Sequence, residues 1–266
     1  MKTFQVTIPS GKRVPILLSV PHCGTTFPDE IKDHFKATLT QTPDDTDWYV
    51  DKLYDFAPAI GITMITAEIS RWVIDLNRSP DDEALYHDGR MLTGLCPVTT
   101  FLGDPLYRDH RTIVSPEEVK RRMDAYYNPY HEKLRTLLTD LRMEFGSVLL
   151  WDCHSIRQSV PTIQAAKFPD LILGSADGTS ASPELIAIAV QNLDAGGYSF
   201  RHNHPFKGGY ITRHYGEPDK SQHALQLEMT KVNYMDDSET QYHPARAGKM
   251  AELLNKTLSS LIATLI

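Results

Sequence analysis

The chain has 266 residues, with 27 lysines and arginines against 34 aspartates and glutamates, which gives a formal net charge of −7. This acidic balance argues against a nucleic-acid-binding protein, which usually needs a basic surplus to neutralise phosphates. With 41% hydrophobic and 23% charged residues, the composition is that of a globular chain that can bury a core, and it excludes global disorder.

The sequence also predicts where the protein works. No apolar run approaches the roughly 18 residues that a membrane span needs, and the N-terminus lacks the apolar stretch of a secretory signal. Three cysteines are too few for a disulfide framework and suit a reducing compartment. We therefore expect a cytoplasmic protein that binds neither nucleic acid nor membrane; the oligomeric state stays open.

The first part of the chain predicts strands and one helix before a long irregular stretch. The apolar run at 14–20 is typical of a buried strand. Helical spacing of apolar residues predicts a helix over about 46–56, and two β-rich runs predict strands at 62–67 and 72–76. The polar stretch 78–111, rich in glycine, proline and acids, predicts long loops.

The second part predicts an alternation of helices and strands. Ser115 as N-cap, Pro116 and Glu118 predict a helix that runs to residue 145 with a kink or break at Pro129. Further elements are predicted as strands at 147–151, 171–174 and 224–229, and as helices at 183–196 and from 244 to the C-terminus. Alternating strands and helices indicate an α/β fold with a mostly parallel or mixed sheet, which we expect to form one domain over residues 1–266.

Two histidines follow buried strands, and each is a candidate metal ligand. His22 and His154 both come just after an apolar run, and ligands of open α/β sheets bind beyond the carboxyl ends of strands. Imidazoles on two rigid strand ends would give a metal the fixed geometry it needs. Asp152 could be a ligand or could orient an imidazole. The alternative is that each histidine only caps a strand.

An acidic third ligand would complete a catalytic zinc site, which keeps three protein ligands. The candidates are Asp44, Asp45, Asp47 and Asp51, where the predicted helix begins. Acids in a first helical turn are also favoured by the helix dipole, so their presence does not require a metal. We favour Asp47.

Cations and one strand-borne acid supply the other candidates. Arg71 could stabilise an oxyanion, while Asn77 and Arg78 could hold a carboxylate, unless these arginines merely pair with surface acids. Glu228 lies in an apolar run, where an acid is costly to bury unless it is paired or used, so it is a candidate general base; alternation also allows it to face solvent. The segment 207–216 could be an anion-binding loop or a hairpin.

Cys23 and Cys153 adjoin the two histidines, which raises the alternative of a cysteine nucleophile. Neighbouring side chains in extended chain point to opposite faces. If His22 and His154 face the site, we expect both cysteines to face away as small buried residues.

Six segments together resemble the N-formylglutamate amidohydrolase family. They are, in chain order, SVPHCGTTFP, DDTDWYVDKLYDF, EISRWVIDLNR, LLWDCHSIR, FKGGYITRHYG and LQLEMTKVNYM. The resemblance implies a three-layer α/β fold in which helices flank a mixed, mostly parallel sheet, as in phosphorylase/hydrolase-like and zinc exopeptidase-like proteins. It also implies metal-dependent hydrolysis of a small anion, N-formyl-L-glutamate, in histidine degradation, with one divalent ion for which zinc is favoured.

The wider resemblance to zinc carboxypeptidases and aspartoacylase-like deacylases implies roles for individual residues. His22 and His154 would bind the metal, Arg71 would polarise the scissile carbonyl, and Glu228 would be general base and then acid. Asn77 and Arg78 would hold one substrate carboxylate. Apart from the resemblance, we expect Arg213 or Lys207 to hold the other, because a dianionic substrate that approaches a chain of charge −7 needs local positive charge. Those relatives place a glutamate three residues after the first histidine, where this chain has Thr25, so Asp47 is the expected replacement, with Asp45 and Asp51 as alternatives.

Three other functions remain open at this stage. The chain could be a deacylase for another N-acyl amino acid, such as an acyl-aspartate. It could be an anion-binding protein that keeps the arginines and holds no metal. It could also be a thiol hydrolase that uses Cys153 or Cys23 and is indifferent to chelators.

Overall fold

A mixed seven-stranded sheet lies at the centre of the protein. The computed structural model describes residues 2–85, 89–109 and 111–266. The strands are β1 (Phe4–Thr7), β2 (Ile16–Val20), β3 (Thr63–Ala67), β4 (Val148–Ile156), β5 (Leu171–Gly174), β6 (Phe200–His202) and β7 (Gln222–Thr230). Their order in space is β1-β3-β2-β4-β7-β5-β6. The four strands from β3 to β7 are parallel, whereas β1 is antiparallel to β3 and β5 is antiparallel to β7.

Helices cover both faces of the sheet. They are α1 (Asp29–Lys32), α2 (Val50–Leu53), α3 (Pro116–Arg122), α4 (Asn128–Phe145), α5 (Pro183–Asp194), α6 (Tyr210–Tyr215) and α7 (Pro244–Leu265). One buried cluster joins α5 and α7 to Leu149 and Trp151 of β4, and a second joins α4 to Leu150 on the opposite face of that strand. This arrangement confirms the predicted three-layer α/β fold with a mixed, mostly parallel sheet. None of the helices in the described ranges has the length and apolar composition to cross a membrane.

The long helical segment follows the prediction and shows why it breaks. Ser115 Oγ accepts a hydrogen bond from the Glu118 N–H at 3.3 Å, and Gly146 ends α4 with a φ of 81°. Between α3 and α4 the chain forms a π-helical turn over Met123–Tyr127. Pro129 lacks an N–H and cannot continue a regular ladder, which accounts for the wider turn before it.

Two local predictions were wrong. The helix expected over 46–56 is reduced to the single turn of α2, because the Asp47 N–H bonds to the His22 carbonyl and Tyr49 adopts a left-handed φ of 70°. The run 72–76 is not a strand, because its backbone turns: the Val73 N–H donates to the Ser70 carbonyl and the Arg78 N–H donates to the Asp75 carbonyl. Its apolar side chains are buried instead in a turn on the α4 face of the sheet. The prediction of one domain over 1–266 stays a prediction.

The loop expected over 78–111 contains no helix or strand within its described residues. Strands β1 and β6 and helices α1 and α6 were not predicted. They are short, and α6 occupies the segment that we read as a binding loop or a hairpin.

Candidate active site

The carboxyl ends of three neighbouring strands carry the candidate catalytic side chains. His22 lies two residues beyond the end of β2, while His154 of β4 stands directly opposite Glu228 of β7 in the parallel register. His154 therefore lies inside its strand, not after it as predicted, because the β4–β7 ladder continues to Ile156. The Asp47 N–H donates to the His22 carbonyl at 2.9 Å, which brings the loop before α2 to the same edge.

His22, Asp47 and His154 form a buried group whose donor atoms lie within 4.8 Å of one another. Asp47 Oδ2 is 3.5 Å from His22 Nδ1 and 3.2 Å from His154 Nδ1. The other oxygen of Asp47 accepts a hydrogen bond from Ser155 Oγ at 3.0 Å, which fixes the carboxylate. Two imidazole nitrogens and one carboxylate oxygen thus lie close enough together to hold one metal ion.

The outer nitrogen of each imidazole meets a second buried carboxylate. His22 Nε2 is 2.7 Å from Asp75 Oδ1, and His154 Nε2 is 2.8 Å from Asp152 Oδ2. A carboxylate in this position accepts the Nε2 proton, and a metal ion would displace any proton on Nδ1. Each histidine is therefore oriented and polarised in the way that metal-binding histidines commonly are.

The pKa values of these buried carboxylates and imidazoles depend on one another. Burial alone would raise the pKa of Asp47, but its hydrogen bonds and charge interactions with His154 and His22 hold that pKa below its usual range. Burial would likewise lower the pKa of His154, but Asp152 and Asp47 raise it well above the ordinary value. Buried Asp75 has a lowered pKa because the charges of Arg71 and His22 outweigh its desolvation. Such opposed shifts are typical of functional sites.

Glu228 faces the same cavity from near the carboxyl end of β7. Burial raises its pKa to about 8, with the charge of His154 acting in the opposite direction. Gln226 Nε2 donates to Glu228 Oε2 at 3.2 Å. A carboxyl with a pKa near neutrality is suited to accept and return a proton at physiological pH.

Glu228 and the three metal-binding candidates line one pocket, which we call the central cavity. Among the described residues, the basic side chains of its lining are arginines and the two histidines: Arg71, Arg78, Arg90, His22 and His154. The apolar part of the lining includes Phe101, Ile156, Ile163 and Phe206. The pocket therefore combines a candidate metal site, an acid–base group and positive charge, all at the strand ends.

Arg71 and Arg78 are both tied to Asp75. Arg71 Nη2 lies 2.6 Å from Asp75 Oδ2, its Nη1 donates to the Asp45 carbonyl, and its guanidinium stands 5.0 Å from the Phe101 ring centroid. Arg78 Nε lies 3.7 Å from the same Asp75 oxygen. Asp75 thus links His22 to both arginines, so the metal candidates and the cations share one network.

Hydrogen bonds to three successive backbone carbonyls hold the turn that carries Asn77 and Arg78. His131 Nε2 bonds the Leu76 carbonyl at 2.9 Å, the Tyr210 N–H donates to the Asn77 carbonyl at 3.3 Å, and the Tyr127 hydroxyl donates to the Arg78 carbonyl at 2.8 Å. We call this set of three bonds the carbonyl clamp. It joins the turn to α4, to the π-helical turn and to α6.

The side chain of Asn77 is fixed by contacts with other residues of the site. Its Oδ1 accepts from the Ile211 N–H at 2.7 Å, and its Nδ2 lies 3.0 Å from His154 Nε2. A Cβ on Gly209 would stand 2.4 Å from Asn77 Nδ2, so this close approach requires glycine. The glycines of segment 207–216 therefore allow neighbouring atoms to approach the backbone closely.

Other predicted residues lie away from the cavity. Lys207 pairs with Asp177 at 2.8 Å, Arg213 is exposed and donates to the Gly208 carbonyl at 2.9 Å, and neither belongs to the cavity lining. Asp51 lines a separate groove, while Asp45 lies beside the site and accepts a hydrogen bond from the Phe101 N–H.

Cys23 and Cys153 are both buried in the core cluster on the α5–α7 face, as the alternation of side chains predicts. Burial raises the pKa of both thiols well above the ordinary value, which disfavours the thiolate that a nucleophile needs.

Sequence reasoning missed several residues of the site. Asp75 was given no role in the site, although it lies in the quoted segment EISRWVIDLNR. Ser155 and Arg90 were not singled out. Arg90 lies in an irregular stretch without periodicity, so no pattern could have placed it in the cavity.

The fold and the site define an α/β protein with a candidate metal centre and an acid–base carboxyl at the strand ends. The model of the N-formylglutamate amidohydrolase family matches residues 14–235. An N-formylglutamate deformylase from Pseudomonas putida is 42% identical over 254 residues, covering 94% of this chain and 93% of the relative. One from Pseudomonas aeruginosa is 41% identical over 253 residues, covering 94% of each.

Solved structures agree with these relatives. The crystal structure of an N-formylglutamate amidohydrolase from Ralstonia eutropha superposes over the full length of both chains with a TM-score of 0.85 and 26% identity. A gene product from Agrobacterium tumefaciens covers 98% of this chain and 96% of its own with a TM-score of 0.73; at 18% identity it shows the fold alone. The chain belongs to the N-formylglutamate amidohydrolase family and is an amidohydrolase.

Proposed function

We propose that this protein hydrolyses N-formyl-L-glutamate to formate and L-glutamate with one divalent ion, zinc, and that it performs the last step of a histidine-degradation pathway. The observation that carries the proposal is the convergence of His22, Asp47 and His154 beside Glu228 and three arginines in one cavity. The names of the two Pseudomonas relatives support the substrate.

The donor set fits zinc. Catalytic zinc is commonly held by imidazoles and one carboxylate, with a further position left for water or substrate. His22, Asp47 and His154 offer that set, and Asp75 and Asp152 hold the outer nitrogens of the two imidazoles. When bound, the ion would supply Lewis acidity that lowers the pKa of a water molecule and polarises the formyl carbonyl.

Glu228 moves the proton in this proposal. Its carboxylate takes a proton from the water whose oxygen forms the new bond to the formyl carbon. The C–N bond then breaks, and Glu228 returns the proton to the amine nitrogen of the departing glutamate. The pKa of about 8 keeps both protonation states accessible near neutral pH.

Arginines stabilise and orient the substrate. Arg71 is fixed by Asp75 and the Asp45 carbonyl, and it donates to the carbonyl oxygen as negative charge develops there. Arg78, positioned by the carbonyl clamp beside Asn77, holds one substrate carboxylate. The phenyl and aliphatic side chains of the lining contact the methylene groups of the substrate.

Formate release from N-formyl-L-glutamate tests the proposal when it is measured before chelation, after chelation and after zinc is added back. We expect activity that disappears with the chelator and returns with zinc. Activity that survives complete removal of metal would retain the substrate and refute the zinc mechanism. No activity with metal bound at one equivalent would refute the substrate and direct the search to other N-acyl amino acids.

A further inference from the structure

The proposed substrate has two carboxylates, and the cavity must therefore supply a second carboxylate-binding cation besides Arg78. This inference rests on the proposed function. The sequence pattern favoured Lys207 or Arg213 for this role, but neither lines the central cavity. Arg90 does, and it comes from the loop 78–111, where no motif had pointed.

Arg90 is held at the cavity wall by the segment that precedes α6. Its Nη1 donates to the Pro205 carbonyl at 3.1 Å, and its guanidinium carbon lies 5.9 Å from the centroid of the Phe206 ring. Phe206 itself belongs to the lining. Contacts with a carbonyl and an aromatic ring limit the positions that the guanidinium can take.

Two separate sets of contacts hold the three arginines of the cavity. Arg71 and Arg78 both approach Asp75, so they form one group with the His22 side of the site. Arg90 is supported by Pro205 and Phe206, in a different part of the chain. A substrate whose two carboxylates are separated by a flexible carbon chain needs two such separate cations, one for each end.

We propose that Arg90 binds the side-chain carboxylate of the substrate and gives the enzyme its preference for glutamate over neutral amino acids of the same length. Arg78 then holds the α-carboxylate, which all N-formyl amino acids share. Arg90 is in this view a specificity-determining residue, and its removal should act on one class of substrate.

The test compares N-formyl-L-glutamate with N-formyl-L-glutamine, which has the same length and a neutral side chain. We expect Arg90→Gln to lower kcat/KM for N-formyl-L-glutamate about 10- to 100-fold, the range for a lost charge-assisted hydrogen bond, and to change the value for N-formyl-L-glutamine less than threefold. Arg78→Gln should lower both values together. Inhibition constants for L-glutamate and L-glutamine as competitive inhibitors, measured on the wild type and the same variants, give the same comparison for binding alone. Arg108→Gln, an exposed arginine of the same loop, is the matched control.

An equal loss on both substrates, or no loss on either, would overturn the assignment. Selective loss in Arg213→Gln or Lys207→Gln, with Arg90→Gln unchanged, would also overturn it. A wild type that does not hydrolyse N-formyl-L-glutamate would refute the proposed function and this assignment together, whereas a wild type that does, with an unselective Arg90→Gln, refutes only the assignment.

Discussion

The central cavity has two walls that the chain holds in different ways. On the metal wall, which consists of His22, Asp47, His154 and Glu228, two residues lie in paired strands and a third lies two residues beyond a strand. On the arginine wall, which consists of Arg71, Arg78 and Arg90, all three side chains come from turns and loops. Side-chain contacts and single backbone hydrogen bonds hold them there in place of a strand ladder.

The difference separates two tasks. Bond making and breaking needs groups fixed within fractions of an ångström, and a sheet provides that rigidity. Substrate selection can be carried by loops, which tolerate change while a rigid scaffold positions them. The comparison predicts that variants on the metal wall lower kcat, whereas variants of Arg78 and Arg90 raise KM or alter selectivity. Arg71 donates to the reacting carbonyl in the proposed mechanism, so its variants should lower kcat as those of the metal wall do.

The largest effect is expected on the metal wall. Glu228→Gln removes the proton acceptor while it keeps the size of the side chain, so kcat should fall about 10²- to 10⁴-fold. Zinc content should equal that of the wild type, since Glu228 is not part of the donor group. Steady-state kinetics together with elemental analysis checks both. Glu252→Gln on the exposed face of α7 is the control, and near-normal turnover in Glu228→Gln would remove Glu228 from the mechanism.

The two walls were not equally predictable from sequence. Apolar runs and their ends indicated β2, β4 and β7, and hence His22, His154 and Glu228, because sheet formation depends on local patterning. Asp47 was favoured only among four neighbouring acids, because its position depends on a backbone bond to His22 that no local pattern reveals. The positions of Arg90 and Asp75 depend on contacts between residues distant in sequence. The sequence therefore predicted only part of the arginine wall.

The second effect is on the stability of the folded protein, and it arises from His131 of the carbonyl clamp. Burial lowers the pKa of His131 to about 4, although its bond to the Leu76 carbonyl acts in the opposite direction. The unfolded chain binds this proton near pH 6.5, so the folded state loses stability as pH falls from 6.5 towards 4, by up to about 3 kcal/mol. Above pH 6.5 both states are neutral and the contribution is constant.

Denaturant unfolding at several pH values checks this expectation. His131→Gln carries no titrating group, so its free energy of unfolding should fall less steeply than that of the wild type between pH 6.5 and 4. The titrations of the other groups are common to both proteins and cancel in the difference. Parallel curves would contradict the assigned pKa and the buried, neutral state of His131.

A third effect is expected on the arginine wall. Arg78→Gln removes the cation that holds a substrate carboxylate, and KM for N-formyl-L-glutamate should rise about 10- to 100-fold with a smaller change in kcat. Initial rates over a wide substrate range measure both constants. A fall in kcat at constant KM would place Arg78 with the catalytic groups and break the division between the walls.

The smallest effect tests whether the carbonyl clamp positions Arg78. Tyr127→Phe deletes the hydroxyl that donates to the Arg78 carbonyl and keeps the ring that stacks on His131 at 4.1 Å. Loss of one neutral hydrogen bond is worth about 1 kcal/mol, so KM should rise about fivefold while kcat changes little. The matched control is Tyr126→Phe, since Tyr126 lies in the same π-helical turn and its hydroxyl bonds Glu30 instead. If both variants lower stability equally and leave KM unchanged, the clamp only stabilises the fold. A selective rise in KM for Tyr127→Phe would instead mean that the arginine wall depends on the π-helical turn before α4 for its geometry, much as the metal wall depends on the sheet.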